Sequence, residues 1–194
     1  MANALIIFVR NPVLGKVKTR LAKTMGDAIA LRIYKKLLAH THKTVKNIPC
    51  HKFIFYADGI NINDNWPADI YLKEEQAAGD LGEKMGAAFE KIFGLGFNKA
   101  VIIGSDCYDL TASIINDAFT ALDKNDIVLG PATDGGYYLL GQKELHPSLF
   151  KIKQWSTPTV LEETILACNT AGLDYILLAV LNDVDEEKDV YFPY

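Results

Sequence analysis

Six consecutive apolar residues, Ala4-Leu5-Ile6-Ile7-Phe8-Val9, run directly into a short segment that holds Arg10, Lys16, Lys18 and Arg20 and no carboxylate. Pro12 and Gly15 punctuate a turn there, and the absence of a Cβ at Gly15 would let a ligand come close to the backbone. A helical pattern follows. A buried strand, a cationic glycine-bearing connection and a helix start together predict an anion-binding corner, where backbone N–H groups and side chains face a phosphate. The competing reading is a solvated basic loop. The formal net charge of the chain is -4, so this segment is a local inversion of sign.

The remaining pattern alternates strands with helices. Ile29, Ile33, Leu37, Leu38 and Val45 recur at helical spacing from Asp27 to about Lys46, and His51–Tyr56 reads as a strand. Asp69–Leu72 reads as a short third strand. A glycine-bearing loop around Gly79-Asp80-Leu81-Gly82 leads into a helix with Met85, Ala88, Phe89, Ile92 and Phe93 on its buried stripe. Ala100–Gly104 is wholly apolar, as expected of a parallel strand covered on both faces. Thr111 is placed to cap the next helix. After the strand at Asp126–Gly130, the turn Asp134-Gly135-Gly136 is too short for a crossover helix, so Gly136–Gly141 is predicted to run in the opposite direction. Thr157-Pro158 is expected to open a helix, and Tyr175–Leu181 to form the last strand. The expectation is one α/β domain over residues 1–194: a mostly parallel sheet with at least one antiparallel strand and helices on both faces.

Composition narrows the function classes. The modest negative charge argues against general affinity for nucleic acid. No stretch approaches the ~20 apolar residues of a membrane span. The first apolar run is short and lacks a basic segment before it, so it reads as a strand and not as a signal peptide. Cys50, Cys107 and Cys168 form no Cys-x-x-Cys pair, which suits a reducing compartment and offers no zinc site. A cytoplasmic location is expected.

In such a sheet, ligands sit beyond the carboxyl ends of the strands. Segments far apart in sequence place polar groups there: the basic loop, Asp106 within Gly104-Ser105-Asp106, Asp134, and Asp183 with Asp185. A carboxylate at the tip of an apolar strand beside a phosphate corner suits Mg²⁺ or Mn²⁺, which take one or two protein carboxylates plus phosphate oxygens. Asp106 is the first candidate ligand, with Asp185 or Asp183 as the second. The alternative for Asp106 is a turn cap, and for the Asp183–Glu187 run the start of a C-terminal helix. Asp134 with its two glycines either orients a sugar or acceptor hydroxyl or simply forms a tight turn. The P-loop order, a Gly-x-Gly-x-x-Gly after a strand and a Gly-x-Ser-x-Gly elbow are all missing.

Six motifs carry a family resemblance. They are Arg10-x-Pro12-x-x-Gly15-x-Val17-Lys18-Thr19-Arg20-Leu21, Gly79-Asp80-Leu81-Gly82-x-Lys84-Met85, Gly104-Ser105-Asp106-Cys107, Gly130-Pro131-Ala132-x-Asp134-Gly135-Gly136-Tyr137-Tyr138, Trp155-Ser156-Thr157 and Asp183-Val184-Asp185. In this order they resemble the DUF2064 family of the nucleotide-diphospho-sugar transferase (GT-A) superfamily, often labelled rSAM/selenodomain-associated or arsenosugar-biosynthesis glycosyltransferases. The resemblance implies a Rossmann-like GT-A sandwich, similar to phospholactate and molybdenum-cofactor guanylyltransferases. It implies that Arg10, Gly15, Lys16, Lys18 and Arg20 hold nucleotide phosphates. Gly79, Asp80 and Gly82 would line the nucleotide pocket, and Asp106 would fill the metal-carboxylate position. Tyr108 stands where the family commonly has proline, Lys84 where arginine is usual, and Glu186 where related transferases often have threonine.

The function expected is a metal-dependent transferase using a nucleotide-diphospho-sugar donor and a small-molecule acceptor. Lys18 and Arg20 would stabilise the departing diphosphate, Asp106 and Asp185 would hold the ion, and Asp134 would orient the sugar or acceptor. One alternative is a nucleotidyltransferase acting on a nucleoside triphosphate and a phosphorylated acceptor. Another is a non-catalytic nucleotide sensor, which the departure at Tyr108 leaves open.

Overall fold

The computed structural model describes residues 2–151 and 154–194. Its strands are β1 (Asn3–Val9), β2 (His51–Tyr56), β3 (Tyr71–Glu75), β4 (Lys99–Ile103), β5 (Ile127–Pro131), β6 (Tyr137–Gln142) and β7 (Tyr175–Leu177). They form one seven-stranded sheet in the order β3-β2-β1-β4-β6-β5-β7. All neighbouring pairs are parallel except the two made by β6, which is antiparallel to both β4 and β5. The expected mixed, mostly parallel sheet is therefore present. The direction of β6 follows from its turn, since residues 132–136 offer no length for a crossover.

The helices are α1 (Thr19–Met25), α2 (Asp27–Val45), α3 (Leu81–Gly94), α4 (Ala112–Ala121) and α5 (Val160–Ala171). The two-residue period of β1 divides the core. Leu5, Ile7 and Val9 join one cluster with Ile115, Ala118 and Phe119 of α4; Ala4 and Ile6 join a second with Met85, Ala88, Phe89 and Ile92 of α3. A third cluster packs Leu21 of α1 and Ile33 and Leu37 of α2 against Val184 and Phe192 near the C-terminus. Helices thus cover both faces, and the C-terminal segment is fastened to the α1–α2 corner.

Capping explains several boundaries. The Asp80 side chain accepts from Glu83 N while Glu83 reaches back to Asp80 N, a reciprocal capping box that starts α3. Thr111 caps α4, as expected.

Three boundaries differ from the sequence reading by two residues or more. The third strand is Tyr71–Glu75, because pairing with β2 continues to Tyr56↔Glu75. α5 begins at Val160, with Thr159 at the cap position, so Pro158 precedes the helix instead of opening it. The last strand ends at Leu177 and regains only an isolated bridge from Leu181 to Ala132. No helix among the described residues is long and apolar enough to cross a membrane.

Candidate active site

A cleft of about 880 Å³ opens along the rim where β1, β2, β3, β4 and β5 end and β6 begins. Its walls include Arg10, Lys16, Lys18 and Arg20 from the connection after β1, Gly79 and Asp80 before α3, and Asp106 after β4. Asp134, Asp183 and Asp185 complete an acidic side. The cations and acids singled out from the sequence therefore share one cavity. Gly15 and Gly82 do not line it. Gly15 is a turn residue at φ +71°, and Gly82 lies beneath the indole of Trp155, where a Cβ would sit 2.4 Å from Nε1.

Lys18 is the centre of the site. It has left-handed backbone angles, φ 47° and ψ 47°, and occupies the cap position of α1. Such a conformation costs a non-glycine residue about 1–2 kcal/mol. Among the described residues only Lys18 and Ser156 are non-glycine residues with positive φ, and both line this cleft. Backbone strain concentrated at one cavity is a common mark of a functional site.

The Lys18 side chain is 5% exposed, and Nζ lies 2.9 Å from Asp106 Oδ2 and 3.2 Å from Asp185 Oδ1. Arg20 reaches the other oxygen of Asp185, 3.2 Å away. Burial lowers the basicity of Lys18, but the two carboxylates outweigh that and hold its pKa above the ordinary lysine range. The ammonium is therefore charged at neutral pH.

Backbone pairing brings these acids together. Val184 N donates to Asp106 O at 2.9 Å, and Cys107 forms an antiparallel bridge with Asp183. The segment after β7 is thereby stitched to the tip of β4, which sets Asp185 beside Asp106. The structure also distinguishes the two C-terminal candidates. Asp185 faces Lys18 and Arg20. The Asp183 carboxyl is pushed up to about 7, first by burial and then by repulsion from Asp106, with Lys18 offsetting part of the effect.

Tyr34 of α2 is a site residue that sequence patterning missed. Its hydroxyl accepts from Arg10 N at 2.8 Å and donates to Arg10 O at 3.1 Å, which fastens the start of the basic connection. Burial and the nearby Asp106 push this phenol up to about 12. A tyrosine on the buried face of a helix carries no local signal for that task. Gln76, Lys84 and Tyr137 also line the cleft without having been assigned a role.

At the Asp134 turn the tight-turn alternative is visible in the structure, and Gly135 has a packing role. A Cβ at Gly135, φ +88°, would lie 2.0 Å from Pro158 O, so this glycine makes room for the segment before α5 and not for a ligand. Asp134 Oδ1 accepts from Gly136 N at 2.9 Å. Tyr108 stacks on Phe192 with ring centroids 3.8 Å apart and on His40 at 4.4 Å, so the aromatic departure is absorbed by packing behind the Asp106 loop.

The family model described as "Uncharacterized protein conserved in bacteria (DUF2064)" matches residues 41–157. The chain belongs to DUF2064. A search of curated proteins gives no match. Among solved structures, a "putative nucleotide-diphospho-sugar transferase" from Desulfovibrio desulfuricans G20 is 30% identical, with TM-score 0.87, over 96% of this chain and 84% of its own. CMP:2-keto-3-deoxy-manno-octonic acid synthetase, in complex with CTP, shares 7% identity at TM-score 0.58 over 97% of this chain and 95% of its own. The manganese complex of Rv0371c from Mycobacterium tuberculosis H37Rv shares 10% identity at TM-score 0.54 over 97% and 96%. At such identities the last two describe a shared fold for this DUF2064 chain, a Rossmann-like mixed sheet.

Among the described residues no three His, Cys, Asp or Glu side chains are assembled for a metal ion. The donor chemistry nevertheless suits a hard divalent cation. Asp106 Oδ2 and Asp185 Oδ1 converge on one positive charge, that of Lys18, and Asp106 Oδ1 is buried without a hydrogen-bond partner.

Proposed function

We propose that this DUF2064 protein is a transferase acting on a nucleotide-diphospho-sugar donor, with a divalent cation at Asp106 and Asp185. The observation that carries the reading is the strained, buried Lys18 at the start of α1, set against Asp106 at the tip of β4 in the strand-end cleft. Arg10, Lys16 and Arg20 add positive charge along the same wall, as a diphosphate requires. The likeness to the Desulfovibrio protein supports a sugar-nucleotide donor, and the manganese complex of the mycobacterial relative supports a divalent metal.

In this reading Lys16, Lys18 and Arg20 bind the diphosphate and stabilise the charge left on it when the bond to the sugar breaks. Asp106 and Asp185 hold Mg²⁺ or Mn²⁺, which when bound neutralises charge on the diphosphate. Gly79 and Asp80, on the wall before α3, border the nucleoside. Asp134 and Asp183 lie on the acidic side, where the sugar and acceptor hydroxyls would approach; Asp134 orients them. Tyr34 keeps the backbone of Arg10 in place.

The second reading is nucleotidyl transfer, favoured by the shared fold with the CTP-bound synthetase. The same cations would then hold the pyrophosphate that leaves. Incubation with nucleotide sugars and with nucleoside triphosphates separates the two: release of nucleoside diphosphate supports glycosyl transfer, and release of pyrophosphate supports the alternative. Asp106→Asn is expected to lower turnover by at least about a hundredfold with the melting temperature nearly unchanged. An Asp106→Asn protein with full turnover, or full turnover in EDTA, removes the metal from the proposal.

A further inference from the structure

Lys18 presents its ammonium at the point on which two candidate metal-binding carboxylates converge. Nζ lies 2.9 Å from Asp106 Oδ2 and 3.2 Å from Asp185 Oδ1. A Mg²⁺ bound to these oxygens would sit about 2.1 Å from each. It would then share the space between them with the ammonium. Two cations cannot occupy it together, because they would compete for the same oxygen lone pairs and repel at contact distance.

We infer that Lys18 is an internal placeholder cation that keeps the Asp106–Asp185 pair closed to divalent metal until a diphosphate draws its ammonium away. The inference rests on the reading of this cleft as a diphosphate site and adds an order of binding to it: metal enters with or after the anion and not before. The chain has the parts for such an exchange. Lys18 Nζ ends a flexible four-carbon stem, and the neighbouring Lys16 and Arg20 line the cavity in which the anion would lie. Arg20 stays near Asp185 Oδ2, so that carboxylate keeps a partner while Lys18 moves. Asp106 Oδ1, buried and unpaired, gains a partner when the metal arrives.

The placeholder also accounts for the orientation of the acids. Asp106, Asp183, Asp185 and Asp134 crowd one side of the cleft. Without a positive charge among them the pair would repel and spread. Lys18 holds the metal-binding geometry ready while denying the site to free metal.

The test uses the metal alone, followed by electron paramagnetic resonance of free Mn²⁺ with no nucleotide present. Lys18→Met keeps the stem and removes the charge. It is expected to bind Mn²⁺ at least about tenfold more tightly than the wild type. Adding Asp106→Asn to Lys18→Met is expected to cancel the gain. Mn²⁺ affinity in Lys18→Met equal to or below that of the wild type overturns the inference, and so does a gain that survives Asp106→Asn.

A wild-type measurement keeps the question answerable if Lys18→Met fails to fold. Mg²⁺ alone should leave the melting temperature unmoved, while Mg²⁺ with inorganic pyrophosphate should raise it by more than the two separate additions combined. An equal rise with Mg²⁺ alone overturns the inference. These readouts need no turnover. A protein that shows the expected metal behaviour but binds no nucleotide refutes the transferase reading alone, whereas one that turns over nucleotide sugars without the Lys18→Met gain refutes only the placeholder.

Discussion

Two nearly buried lysines at opposite ends of the sheet make an instructive pair. Lys99 begins β4, and its ammonium donates to Phe119 O at 2.9 Å and pairs with Asp123, both at the C-terminal end of α4. Lys18 lies past the other end of the strands, and its partners Asp106 and Asp185 come from segments 88 and 167 residues away. Lys99 therefore caps a helix terminus that any stable fold must satisfy, using a carbonyl and the favourable end of a helix dipole. Lys52 likewise satisfies carbonyls of the α2–β2 connection, Ile48 O and Cys50 O. Lys18 satisfies nothing of the kind. It holds together acids that would otherwise repel one another, from a backbone conformation that costs energy. One end of the sheet uses buried cations to complete the fold, and the other uses a buried cation to keep a charged cavity poised.

The largest expected effect breaks this contrast at the cleft. Lys18→Ala combined with Arg20→Ala should weaken nucleotide-sugar binding by at least about a hundredfold, since each charge-assisted contact to phosphate contributes roughly 1.5–3 kcal/mol. Titration calorimetry checks it, and unchanged affinity places the phosphates elsewhere.

Lys99→Met should instead lower unfolding free energy by about 1–3 kcal/mol and leave the turnover number as it was. Denaturant melts and a turnover assay on the same preparation test both halves. A loss of activity without a loss of stability would erase the distinction between the two lysines.

A smaller effect sharpens the comparison through pH. Asp183 has a folded-state pKa raised to about 7, above the ~3.9 of an unfolded aspartate. A carboxyl raised in this way contributes stability that is fully present below the unfolded value and is lost as pH climbs through 7. Asp183→Asn should therefore flatten the decline of metal-free stability between about pH 4 and 7, and should leave the variant more stable than the wild type above pH 7. Parallel pH–stability curves for the two proteins would count against a strained acid at this position.

Much of the frame was legible because it repeats. The two-residue period of β1, the apolar β4 and the helical stripe of α3 each report burial locally, and the short Asp134–Gly136 turn requires an antiparallel β6. The cationic corner and Asp106 were readable as a local charge inversion and as an acid ending an apolar strand. The choice between Asp183 and Asp185 was not readable. It depends on the Cys107–Asp183 bridge, a long-range pairing that leaves no periodic trace. Tyr34 was hidden for the same reason, since its packing on α2 resembles that of any core aromatic. The packing role of Gly135 was not readable, because the atom that needs its missing Cβ, Pro158 O, lies 23 residues ahead in sequence.

The most direct test of the account is a crystal structure of the protein soaked with Mn²⁺ and a nucleoside diphosphate. The account predicts phosphate oxygens within hydrogen-bond distance of Lys18 Nζ, with manganese on Asp106 and Asp185 in the place the ammonium leaves. A diphosphate bound away from the cleft, or manganese on Asp106 and Asp185 with Lys18 Nζ still between them, would contradict it.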